Sequence, residues 1–129
     1  MFTQEGLIYV YTRKQAVGEG VQILLDNELA LMARQAGWVL PIYLTNSVYA
    51  ILETVRDNKR TASDFNGVLW DILYMGALHA KRNTGDTIQF YVHIKGAGRK
   101  RNWLFVAKVA AIDIDNPNPC VTIMLPEDL

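Results

Sequence analysis

The sequence predicts an α+β fold, with three main helices packed on a small antiparallel sheet and a three-stranded meander at the C-terminal end. Three observations carry this. Through the first two-thirds of the chain, apolar residues recur at i, i+3, i+4 and i+7, the spacing of a helix with one buried face. In the last third, apolar and polar residues alternate between turn-forming clusters, the pattern of half-buried strands. Helices grouped ahead of strands point to α+β rather than to alternating α/β order. The 129 residues, 50% of them hydrophobic, suffice for one domain over 1–129 whose core needs neither disulfide nor metal.

Leu7–Tyr11 is β-branched and aromatic and reads as a short strand. Thr12 offers a hydroxyl as N-cap of a brief helix over 13–17, which Gly18 and Gly20 end. Val21–Leu25 reads as a second short strand. Asp26 or Asn27 caps the next helix, on which Leu29, Met32, Ala33 and Ala36 share a face, and Gly37 and Pro41 stop it. A helix over 45–57 follows, with Val48, Ile51, Leu52 and Val55 on its inner face. Ser63 or Asp64 caps the longest helix, 64–82. This helix is apolar on most sides, so it is expected to pack on more than one neighbour, with Leu69, Trp70, Ile72, Leu73 and Met75 mostly buried. His79, Lys81 and Arg82 complement the dipole in its last turn.

The strand over 89–95 places Phe90, Val92 and Ile94 on one face and Gln89, Tyr91, His93 and Lys95 on the other. A turn over 96–102 leads to a strand over 103–112. Two prolines and two asparagines make 113–119 a second turn, before a last strand over 120–125.

Composition excludes several function classes. Thirteen basic against 13 acidic side chains argue against a general polyanion binder and leave room only for a local basic patch. Cys120 is the one cysteine, so no internal disulfide is expected, and without a glycine-rich elbow it reads as a small, inert, partly buried thiol. His79 and His93 lack ligand spacing, so no metal is expected, and no cofactor is implied. Gly96-Ala97-Gly98 lies between two strands rather than before a helix, which removes it as a nucleotide signature. The first residues lack a basic region followed by an apolar run, and Val68–Ala80 is too short to span a bilayer and holds Asp71 and His79. A cytoplasmic protein without membrane contact is the expectation.

Two residue groups remain as candidate sites. Arg99-Lys100-Arg101 is the densest basic run, expected at a hairpin tip with Trp103 and Tyr91 available for stacking on bases. Tyr9, Tyr11, Arg13, Asp71 and His93 form a possible polar–aromatic pocket. Asp71 is notable there because it sits between Trp70 and Ile72 on an apolar helix.

Several short motifs carry a resemblance. They are Ile8-Tyr9-Val10-Tyr11-Thr12-Arg13-Lys14-Gln15-Ala16 with Gly20-Val21, Ala33-Arg34-Gln35-Ala36-Gly37 with Pro41, Thr45 and Val48, Leu69-Trp70-Asp71, and the ending Thr122-Ile123-Met124-Leu125-Pro126-Glu127-Asp128. Together they resemble a family of small bacterial proteins of unknown function carried largely on plasmids, phages and other mobile elements. The chain departs from that pattern before the last strand, where Asp115-Asn116-Pro117-Asn118-Pro119 stands in place of a Gly-Pro-Gly-Asp-like turn. The resemblance implies a context and no chemistry. The leading expectation is a non-enzymatic binding or accessory protein of mobile DNA, contacting nucleic acid or a host protein and able to form a homo-oligomer. The alternative is an enzyme built on the polar–aromatic pocket.

Overall fold

The computed structural model describes residues 12–129. The strand expected at 7–11 lies outside the described residues. In order, the elements are α1 (Arg13–Gly18), β1 (Gln22–Leu24), α2 (Asn27–Ala36), β2 (Ile42–Thr45), α3 (Asn46–Asp57), α4 (Phe65–Ala80), β3 (Thr87–His93), β4 (Asn102–Asp113), β5 (Asn116–Met124) and a closing 3₁₀ turn, Pro126–Asp128. They form one α+β unit around a five-stranded sheet of order β1-β2-β5-β4-β3.

The meander β3-β4-β5 is antiparallel throughout, as its alternation predicts. The whole sheet is mixed rather than purely antiparallel, because β2 runs parallel to β5, with Ile42 opposite Val121 and Leu44 opposite Ile123. The sequence pattern holds no strand signal at β2. This strand spans only four residues, from Ile42 after Pro41 to Thr45, itself the N-cap of α3, too short for alternation to register. It exists because Ile42 and Leu44 bury against the core while its backbone pairs on both sides.

β5 also differs from the expected strand, beginning at Asn116 rather than at residue 120. The turn is confined to Ile114 and Asp115. Proline is tolerated in a strand where its missing N–H faces no partner. Pro117 and Pro119 meet that condition, since β2 pairs only with residues 121–123 of β5 and leaves this stretch an edge on one side.

The core lies between α2, α3, α4 and one face of the sheet. Leu69, Ile72 and Leu73 of α4 are fully enclosed, with Val48, Leu52 and Val55 of α3, and Phe90, Phe105 and Ile123 of the strands. Trp70 and Met75 are half-buried rather than mostly buried. They flank the seam where α4 meets its neighbours, and Trp70 stacks on Tyr74 with ring centroids 5.8 Å apart. Gly76 lets α4 approach the sheet, since a Cβ there would lie 3.0 Å from Phe90 and 3.1 Å from Trp38. The Trp38 indole N–H donates to the Leu73 carbonyl at 2.9 Å, tying the α2–β2 connection to α4.

Candidate functional site

The opposite sheet face is built differently. Thr12 caps α1 with a reciprocal box: its hydroxyl accepts from Gln15 N–H, and the Gln15 side chain accepts from Thr12 N–H. The remaining N-terminal donors reach across the chain to Asp113, whose carboxylate accepts from Arg13 N–H at 3.3 Å and Lys14 N–H at 2.8 Å, as well as from Ile114 N–H. These backbone bonds hold the Asp113 carboxyl below the usual carboxylate range.

The cap thereby aims Arg13 along the sheet. Its guanidinium donates to the Ile112 carbonyl at 2.6 Å and to Gln22 Oε1 and Thr122 Oγ1, both at 2.8 Å, and lies 4.5 Å over the Tyr43 ring. The Ile112 carbonyl is free for this bond because the β4–β5 register shifts there. Pro117 and Asn118 stand opposite the single residue Ile112, and a bulge leaves ladder groups unpaired. Cys120, expected to be partly buried, is fully enclosed, and burial raises its thiol pKa and that of the Tyr43 phenol. Arg13 therefore joins residues from α1, β1, β2, β4 and β5. No motif in the sequence marks this, since its partners lie 9 to 109 residues away.

Among the described residues, the pocket candidates Asp71 and His93 do not join Arg13. Tyr9 and Tyr11 lie outside the described residues. Asp71 is exposed on α4, on the helical side of the sheet, with its carboxyl pKa raised by desolvation. His93 is exposed on the opposite side, where its Nδ1 lies 3.3 Å from Asn102 Oδ1. His79, the second histidine, is half-buried, with its Nδ1 2.9 Å from the Met75 carbonyl and its ring beside Phe90. Among the described residues no group of three or more His, Cys, Asp or Glu is placed to hold a metal ion, and no helix is long and apolar enough to cross a membrane.

The basic hairpin splits its two aromatics between the sheet faces: Trp103, opposite the buried Val92, packs against the core, and Tyr91, opposite Leu104, faces the other way. β3 and β4 pair down to His93–Asn102, and Ile94 N–H donates to the Arg101 carbonyl at 2.8 Å. Gly96 and Gly98 both take φ of +96°, which lets the chain reverse. The base of the loop is fixed: Asn58 donates to the Gly96 carbonyl at 3.2 Å, and Gly96 lies so close to Thr61 that a Cβ would meet its hydroxyl at 2.9 Å. Beyond this anchor Arg99, Lys100 and Arg101 are exposed. Lys100 Nζ lies 4.5 Å over the Trp103 ring, and Tyr91 is 63% exposed on β3.

Beside the hairpin runs a groove of about 400 Å³. One side is Tyr91, Lys100, Asn102, Trp103 and Leu104, and the other is Leu125, Pro126 and Glu127 of the 3₁₀ turn. That turn is pinned by Asp128, which accepts from Thr45 Oγ1, Ser47 Oγ and Leu125 N–H. The sequence pointed to Tyr91, Lys100 and Trp103 and missed the opposing wall, whose only local signal is proline at the start of a turn rich in acids. The Trp103 indole N–H is buried without a partner among the described residues.

No curated protein and no solved structure matches the chain. A family model does match, over residues 1–129, and it spans both the Arg13 junction and the basic hairpin. The chain belongs to the family of unknown function DUF6573.

Proposed function

We propose that this protein is a non-enzymatic binding protein, an accessory of mobile DNA, that contacts nucleic acid through the β3–β4 hairpin. The observation that carries this reading is the hairpin tip: three adjacent exposed cations stand on an anchored loop, beside an exposed Tyr91 and a Trp103 over which Lys100 is already laid. Cations with adjacent aromatic faces are what a phosphate backbone and its bases need. With a formal net charge of +0, the attraction is local, so binding is weak and salt-sensitive, with a logarithmic salt slope of about −2 to −3 for three contacts.

The enzyme alternative draws no support from the described residues, because Arg13 is occupied by the sheet and Asp71 and His93 lie on opposite sides of it. The test is fluorescence anisotropy of labelled DNA and RNA oligomers at low salt. Wild type is expected to bind, and a variant with Arg99, Lys100 and Arg101 all changed to alanine is expected not to. Equal binding by the two removes the hairpin, and no binding by wild type leaves a protein partner as the reading to pursue.

A further inference from the structure

Resting on the nucleic-acid reading, we infer that the groove beside the hairpin receives a single unpaired base, so that the ligand is single-stranded. Charge sets what the groove can accept. Lys100 and Glu127 line the same groove from opposite walls, yet no ion pair joins them among the described residues. For a phosphate entering there, repulsion by the Glu127 carboxylate offsets the attraction of Lys100. A base meets no such penalty. It is uncharged, its flat face suits the Tyr91 ring, and an exocyclic amino group donates well to a carboxylate.

The groove's size agrees, at the small end of the range of roughly 300–1,000 Å³ for ligand pockets. Its walls are also set in advance. The 3₁₀ turn is held by the three bonds to Asp128, and the hairpin base is held by Asn58. Arg99 and Arg101, outside the groove at the tip, are left for the phosphates on either side of the captured base. A paired base cannot enter, because its amino edge is occupied and its faces are stacked.

The experiment measures anisotropy at low salt with oligo-dC, oligo-dT, an abasic strand of equal length and a duplex. It uses wild type, Tyr91→Ala and Glu127→Gln, two substitutions at exposed positions. Wild type is expected to bind oligo-dC about tenfold more tightly than the abasic strand. Tyr91→Ala should erase most of that ratio, and Glu127→Gln should narrow the preference for oligo-dC over oligo-dT. Equal affinity for oligo-dC and the abasic strand, with binding still lost on removing Arg99, Lys100 and Arg101, overturns base capture and leaves nucleic-acid contact standing. Absence of binding to every strand overturns both.

Discussion

The two faces of the sheet are held by different physics. On one, α2, α3 and α4 cover Phe90, Phe105, Ile123 and their neighbours with aliphatic side chains, and the attachment is spread over many small contacts. On the other, α1 is only six residues long and buries one residue, Ala16. A helix that short is not stable by itself. It is held largely through Arg13 and Asp113, by a few directional bonds. A dispersed interface loses stability in proportion to the atoms removed, whereas a concentrated one fails when a single group is lost.

Truncating the dispersed side at its centre should have the largest effect. Leu73→Ala empties a fully enclosed position and should cost about 2–5 kcal/mol in chemical denaturation. A loss well below 1 kcal/mol would show that α4 is not the organiser of its face. Arg13→Met should cost less, about 1.5–3 kcal/mol, since it deletes charge-assisted bonds and leaves Thr122 and the Ile112 carbonyl unsatisfied. Its signature should be local. Hydrogen exchange is expected to quicken in α1, β1 and β2 while β3 and α4 stay protected, and uniform loosening would remove the distinction between the faces.

Acid should also separate the two faces. The Asp113 pKa is depressed in the folded chain, so its contribution is whole above the ordinary carboxylate pKa and is lost as pH falls through the depressed value. The Arg13 and Lys14 amides should therefore open at acid pH before those of α4, and Asp113→Asn should remove that dependence. Replacing Arg99, Lys100 and Arg101 by alanine should have the smallest effect on stability, within about 0.5 kcal/mol. A larger loss would mean that the hairpin tip serves the fold.

The dispersed face was legible in the sequence for the reason that makes it robust. Val48, Ile51, Leu52 and Val55 repeat at helical spacing, and Phe90 and Val92 alternate, so each burial is announced by neighbours in the chain. The Arg13 junction was not legible. Thr12 identified itself as a cap, but nothing near Arg13 indicates Thr122 or a bulge at Ile112. β2 escaped because four residues hold no period, and β5 began early because prolines that normally mark a turn occupy a one-sided edge. Of the hairpin groove, Tyr91, Lys100 and Trp103 were legible, being local to one turn. Glu127 was not, because it arrives from the far end of β5.

The position of β5 has a consequence for synthesis. Among the described residues it is the middle strand of the sheet and the last of the five in sequence, and it joins β1-β2 to β4-β3. While the ribosome is still making it, β2 and β4 each present a bare edge, and Ile42, Leu44 and Phe105 lack their strand partner. Contacts of such long sequence separation form late and leave sticky intermediates in the meantime. A nascent chain stalled short of residue 116 should therefore bind holding chaperones, and release of the last strand should act as the latch that closes the sheet.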